Sequence, residues 1–571
     1  VRSTRLPEED KTYLIDKEAP EEPKKPKDLK VADLACGSGH ILNECFDLLY
    51  DLYIASGFGR GEAIESIFAN NLLGIDIDER ARQLATFALM LKACQRDDSF
   101  ADARALPQVL SMPEVNEAQA EEFFRLSDIS CEALKELREA FDLMKDADSL
   151  GSIMKFDISG STRVLLQQTL SHWMNQSDKP EAVVAAIPAV RLILALTDSY
   201  DAIVMNPPYM STSRVEVLKT YAVKNYPDSK ADLFSVFMDV CIDRLKDGGK
   251  YGMINMQAWM FLGSFEILRK KILSTQHIDS LLHLGPRTFD ELSGEVVQNA
   301  AFVISKDMPQ SIEGIYYRLI DGKNCAAKCE MYLEGENRYT VADQKQFEQI
   351  PGSPISYWVN ETFFKPIEEC PNLGEISQPR AGLQTSDNNR FLRNWHEVSY
   401  AKIGLNLARQ EALKSDFKWF PHNKGGAARE WYGNRDFVIN FANDGAELKY
   451  WLEHNPNDPT TTSWSRNLRN YPLYFHEALT WSAVGSGRLT VRYSPTGSLF
   501  DTSGPILVAE SQDLLMYILG LTNTVVFDKY LSIFAQGISK GSGHFSNVPF
   551  KFDELSASQI NKIVRECVSI S

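Results

Sequence analysis

The stretch Val31-Ala-Asp-Leu-Ala-Cys-Gly-Ser-Gly39 decides how the chain is read. Val31 to Leu34 is a short apolar strand candidate. Gly37 and Gly39 then let the backbone turn sharply and come close to a ligand. Ile41 to Ala55 continues with helical spacing, and the first N–H groups of such a helix have no intrahelical partner. Strand, glycine turn and helix together predict a Rossmann-like cradle at the carboxyl end of a sheet, with the turn residues Ala35, Cys36, Gly37 and Gly39 lining it. The spacing is G-x-G without the third glycine of the dinucleotide fingerprint, which argues against an ordinary NAD site.

Outward from this turn, apolar runs alternate with helical patterns across residues 28–310. Leu72 to Ile77 is a second strand candidate, Ile153 to Phe156 a third, Tyr200 to Met205 a fourth and Tyr251 to Met256 a fifth. Ala81 to Cys94 and Leu233 to Leu245 have helical period. This alternation predicts a parallel α/β sheet. Between the second and third candidates lies the excursion Gln95 to Leu150, whose acidic second half, Glu117 to Met144, reads as a helical hairpin. Arg163 to Leu196 reads as a second helical insertion. After residue 310, Gly, Ser, Asn, Trp and Tyr become common, and Pro351, Gly352 and Pro354 mark a connector. The expected organisation is an N-terminal linker (1–27), a sheet domain (28–310) with helical insertions at 95–150 and 163–196, a connector (311–370) and a mixed α/β recognition module (371–571).

Composition narrows the classes further. The 571 residues are 44% hydrophobic and 24% charged, which excludes a mostly disordered chain, a collagen and a coiled coil. The formal net charge is −17, which argues against a generic basic nucleic-acid coat. Residues 371–571 carry 20 Lys+Arg and 19 Asp+Glu, however, leaving 40 and 58 for residues 1–370. The acidity therefore belongs to the first two-thirds. Nine scattered cysteines do not form a disulfide framework. Cys325 and Cys329, a lone CxxxC, read as two reduced thiols, and no metal site is expected. The longest apolar run, Ala182 to Thr197, is broken by Pro188 and Arg191, so a buried helix is expected and no membrane span. With no apolar signal core after Val1, the expected location is cytoplasmic.

The chemistry is concentrated in Ile203-Val-Met-Asn-Pro-Pro-Tyr209. An apolar strand stops at Asn206, and Pro207 and Pro208 lock the backbone beyond it. The Asn206 side-chain oxygen and the Pro207 carbonyl become fixed acceptors for one planar NH2 group, and Tyr209 offers an aromatic face on which a flat ring can stack. This set suits methyl transfer to an exocyclic or amide nitrogen. Such a nitrogen is a poor nucleophile because its lone pair is delocalised, and two acceptors on its hydrogens localise that pair. The bland alternative for Asn-Pro-Pro is a plain turn. Asp76, followed by Ile77 at the end of the second strand, is placed to accept bonds from ribose hydroxyls, while Asp78 caps the next helix. Asp157, with Ile158 packing beside it, is a candidate acceptor for an adenine amino group, the alternative being an ordinary loop aspartate.

These motifs together resemble the S-adenosylmethionine (SAM)-dependent amino-group DNA methyltransferases, in the gamma order of the N6-adenine enzymes. The resemblance covers residues 28–310. It implies a seven-stranded sheet, with Asp33, Gly37 and Gly39 near the methionine part of SAM, Asp76 on the ribose and Asp157 on the adenine. It also implies that Asn206, Pro207 and Tyr209 hold a target adenine, with Asp232 and Phe234 beside the pocket and Phe289, before Glu295-Val-Val297, as a second aromatic wall or a core residue. Gly382-Leu-Gln-Thr-Ser-Asp-Asn-Asn-Arg-Phe391 and Trp419-Phe-Pro-His-Asn-Lys-Gly-Gly426 carry a narrower likeness to the methyltransferases of bacteriophage-exclusion (BREX) systems. The partners so implied are double-stranded DNA and other phage-defence proteins. No Tyr-Thr-Pro-like element precedes Val31, so a longer protein with a further N-terminal region is expected.

A base inside a duplex has to be flipped to reach Asn206, and a second module has to grip phosphates and read neighbouring bases. Arg390, Lys424, Arg429 and Lys540, set among Trp, Tyr, Asn and Gly, are the substrate-binding candidates there. Two other readings compete with DNA methylation. One is methylation of protein glutamine or RNA. The other is a SAM-binding recognition and scaffold subunit active only in a complex.

Overall fold

The computed structural model describes residues 24–571 except 103–104, 115, 290–296, 309–312, 459, 486 and 536–538. Most of the expected N-terminal linker and the pair Glu295 and Val296 lie outside the described residues. Contacts divide the chain into residues 1–348 and 349–571.

The first unit is built on a nine-stranded sheet. Its strands are β1 (Val31–Asp33), β2 (Leu72–Ile75), β3 (Gln108–Leu110), β4 (Tyr200–Met205), β5 (Leu245–Met256), β6 (His277–Gly285), β7 (Asn299–Ser305), β8 (Gly314–Arg318) and β9 (Arg338–Val341), in the order β3-β2-β1-β4-β5-β7-β6-β8-β9. β1 pairs in parallel with β2 on one side (Val31 opposite Leu72) and with β4 on the other (Val31 opposite Ala202). β7 runs antiparallel between β5 and β6. The seven strands expected from the resemblance are present, and β8 and β9 extend the sheet past the expected boundary at residue 310. The helix His40–Ala55 buries Leu42, Phe46, Leu49, Tyr50 and Tyr53, and the helix Glu79–Arg96 buries Ala85, Leu89 and Ala93 in the same apolar cluster.

The third strand is a correction. It is Gln108–Leu110, inside the stretch expected to be a helical excursion, and Ile153–Phe156 joins no ladder. The reason is geometric: β2 and β4 already occupy both sides of β1, and β3 takes the free side of β2. The carbonyls of 152–154 bond to side chains instead. Buried Arg244 donates to Ser152 O and Met154 O, each at 2.8 Å, and Tyr226 donates to Ile153 O at 2.7 Å. Ser152 Oγ donates to Leu34 O, so this segment is stitched to the end of β1 without being a strand. The acidic stretch forms helices Glu117–Leu126 and Cys131–Leu143, packed through Phe124 on Phe141 (5.1 Å, edge-on). The second insertion forms helices Gly160–Met174 and Glu181–Leu196, the latter carrying Pro188 in its interior. Among the described residues, no helix is long and apolar enough to cross a membrane.

The second unit is mixed α/β, as expected. Its strands are β10 (Ser377–Arg380), β11 (Leu392–Asn394), β12 (Trp419–Asn423), β13 (Phe437–Asn440), β14 (Ala478–Trp481), β15 (Val491–Ser494), β16 (Leu499–Phe500) and β17 (Ile506–Ala509). They form two four-stranded sheets, β10-β17-β14-β15 and β11-β13-β12-β16. One core packs Trp481, Leu515, Ile518, Leu531 and Phe545, with helices Gln512–Thr522 and Val525–Phe534 against the first sheet. A second core gathers Phe391, Phe420, Phe441, Leu448, Tyr474 and Phe500.

Candidate active site

The glycine turn leaves β1 at Asp33 and passes into the helix at His40. Gly37 has φ +53° and Gly39 φ +85°, both in the left-handed region that glycine tolerates. The two glycines serve different ends. A Cβ on Gly39 would lie 2.9 Å from Ala85 Cβ of the helix Glu79–Arg96, so Gly39 is a packing requirement. A Cβ on Gly37 would meet nothing within 4 Å, so Gly37 faces open space. The turn is closed by Cys36 N donating to Ile75 O (2.9 Å) and Gly37 N donating to Asp76 Oδ2 (2.8 Å). Asp76 Oδ1 accepts from Asp78 N at 2.9 Å, and Asp78 caps the following helix through Arg80 N. Asp78 thus caps the helix as expected, while both Asp76 oxygens accept from backbone amides of the turn.

Asp33 is 1% exposed. Its Oδ1 accepts from Ala35 N at 3.1 Å, while its Oδ2 is buried with no hydrogen-bond partner. Burial pushes the carboxyl up to about 7; the Ala35 bond works against this and the Asp76 carboxylate adds to it. A buried carboxylate oxygen without a donor is what a cationic ligand group would complete. The amino group of SAM fits that description, and the open space over Gly37 fits a ligand chain. Cys36 is buried, and its thiol is raised by desolvation. Ile77 is 47% exposed beside Gly151, and Asp157 and Ile158 follow in the stitched segment, Asp157 exposed.

The end of β4 lies beside the end of β1, so Asn206 leaves the sheet next to the glycine turn. This is the switch point of strand order at which ligands bind in open α/β sheets. Asn206 is exposed, Pro207 buried and Pro208 exposed. The Tyr209 hydroxyl donates toward Asn206 Oδ1 (3.0 Å) or Ile254 O (3.2 Å) and accepts from Asn299 Nδ2 (3.2 Å). Burial pushes the Tyr209 hydroxyl up to about 12, so it keeps its proton at neutral pH. Asp232 fixes the chain after Tyr209 by accepting from Met210 N at 3.0 Å, and burial raises its carboxyl. Phe234 meets Tyr209 edge-on at 6.4 Å. Phe289 is 38% exposed on the loop after β6.

The candidates of the second unit have separate surroundings. Arg390 pairs with Glu447 (3.1 Å) and lies over Trp451 (4.8 Å). Lys424 lies over Phe437 (5.4 Å) and lines an open polar cleft of about 470 Å³ with Gln384, Asn388 and Ser503. Arg429 is exposed. Lys540 turns inward: its ammonium donates to Gly487 O, its backbone carbonyl accepts from Trp481 Nε1 (2.7 Å), and burial lowers its pKa. Sequence reasoning missed Asn299, which donates to the Tyr209 hydroxyl, and Asn255, whose carbonyl faces the same Asn299 amide. The available signal was Asn299 heading a strand whose next five residues, Ala300 to Ile304, are apolar.

Residues 70–289 match the family described as Eco57I restriction-modification methylase. The adenine-specific methyltransferase PglX of Lacticaseibacillus casei (strain Zhang) is 35% identical over 92% of this chain and 44% of its own length. The adenine-specific methyltransferase BrxX of Escherichia coli O9:H4 (strain HS) is 33% identical over 96% of this chain and 46% of its own. The chain thus spans less than half the length of these relatives. Among solved structures, the Type IIL restriction-modification enzyme MmeI in complex with DNA has the same fold, with a TM-score of 0.56 at 12% identity over 95% of this chain and 65% of that one.

Proposed function

Because the chain is a relative, over more than nine-tenths of its length, of the adenine-specific methyltransferases PglX and BrxX, we propose that it methylates N6 of an adenine flipped out of double-stranded DNA, as the modification component of a phage-defence system. The observation that carries this reading is the meeting of two motifs at one end of the sheet. Asn206-Pro-Pro-Tyr209 leaves β4 beside the glycine turn of β1, where Asp33 keeps a buried, unpartnered oxygen.

SAM, when bound, supplies an electrophilic sulfonium methyl. Asp33, Gly37 and Asp76 are the residues that would hold it, with Asp157 and Ile158 at its adenine end. The chain's part in the chemistry is positional and electrostatic. Asn206 Oδ1 and the Pro207 carbonyl accept from the target amino group and localise its lone pair, while the Tyr209 ring packs on the base. The residues 371–571, with Arg390, Lys424 and Arg429 at the surface, grip the duplex.

The test is transfer of labelled methyl from SAM to DNA by the full-length protein, with the product base identified. Label on N6 of adenine is expected, and Asn206→Ala should lower transfer by at least about 100-fold while SAM binding persists. Label on cytosine, RNA or protein glutamine would overturn the assignment.

A further inference from the structure

We propose that Asn299 is a positioning residue for Tyr209, and that the Tyr209 hydroxyl is a two-position hydrogen-bond switch that covers or frees the Asn206 acceptor; this rests on the adenine-methylation reading above.

The argument starts from the orientation of one amide. Asn299 is the first residue of β7, paired across from Met256 of β5 and 1% exposed. Its Nδ2 lies 3.4 Å from the backbone carbonyl of Asn255 and 3.2 Å from the Tyr209 hydroxyl. A carbonyl only accepts, so the group facing Asn255 O has to be the NH2, and the amide cannot be flipped. The same NH2 therefore donates to Tyr209. A phenol has one hydrogen. With its oxygen accepting from Asn299, that hydrogen points either to Asn206 Oδ1 at 3.0 Å or to Ile254 O at 3.2 Å.

These two positions have different consequences. With the hydrogen on Asn206, one lone pair of the acceptor is occupied and the side chain is held in place while the site awaits a base. With the hydrogen on Ile254 O, both lone pairs of Asn206 are free for the exocyclic amino group. The change is a rotation about the C–O bond, and no proton leaves the tyrosine. Asn299 also keeps a buried Oδ1 without a partner, which costs stability. The rest of β7 is Ala300, Ala301, Phe302, Val303, Ile304 and Ser305, so packing alone gives no reason for an amide at its head.

The test is a double-mutant cycle on the full-length protein, reading methylation of adenine in duplex DNA. Asn299→Ala should lower kcat by about tenfold with KM for DNA changed less than about twofold. In a Tyr209→Phe background, which keeps the ring and removes the hydroxyl, Asn299→Ala should cost less than about twofold more. Asn299→Leu, which keeps the bulk in an apolar surrounding, should repeat the cycle if the alanine variant does not fold. Equal losses in both backgrounds, or no loss of kcat, would overturn the switch while leaving adenine methylation standing. An unaltered protein that places no methyl on adenine would overturn both.

Discussion

Asp33 carries a pH signature of its own. Its carboxyl sits near 7 when folded, against an ordinary 3.8. A carboxyl raised by folding contributes stability below its unfolded pKa, and that contribution is lost as pH rises through the folded value. Asp33→Asn bears no charge, so its stability relative to the unaltered protein should grow from pH 4 to pH 8, by on the order of 3–4 kcal/mol. Thermal melts across that range in the absence of ligand would check this, and parallel melting curves would refute it. The same variant should bind SAM less tightly, because the unpartnered oxygen is gone. At this scale the sequence was informative where chemistry demands a residue type: Asp33, Gly37, Asp76 and Asn206 meet at one end of the sheet as their order suggested. It was silent on Asn299 and Asn255, because a buried asparagine at a strand end has no motif and its partner Tyr209 is 90 residues away in the chain.

The glycine turn shows how one element divides two tasks between two glycines. Gly37→Ala should cost only about 1 kcal/mol of stability from its left-handed φ, yet impair ligand binding by filling the open space. Gly39→Ala adds a Cβ 2.9 Å from Ala85 to the same kind of strain. It should therefore destabilise the protein by about 2 kcal/mol or more through the helix Glu79–Arg96. Chemical denaturation of both variants, with SAM titration of Gly37→Ala, would separate the roles. Elements were legible where they were long and periodic, as with β4, β5 and the helices of the two insertions. They were not legible where three residues suffice. Gln108–Leu110 follows Pro107 and is too short to show alternation, whereas Ile153, Met154 and Phe156 are apolar because they are buried in a non-strand segment whose backbone carbonyls are held by Arg244.

For the whole molecule, the net charge of −17 divides unevenly: residues 371–571 are nearly neutral and the remainder is strongly acidic. The unit 349–571 has two apolar cores of its own, so it is expected to melt cooperatively when produced alone. It should retain duplex DNA with an affinity that falls steeply with salt, the slope of log K against log salt being about −0.9 per phosphate contacted. Salt-insensitive retention, or none, would remove it as the gripping module. The sheet of the first unit adds one more consequence. Its two outermost strands, β3 and β9, have three and four residues, although the interior strand β5 has twelve. Rims this short expose few unpaired backbone amides, so the sheet is a poor template for β-augmentation and resists growing into an aggregate with another copy. Any assembly this unit enters is expected to be read by side chains on helices and loops, which single surface substitutions can alter, and not by strand addition.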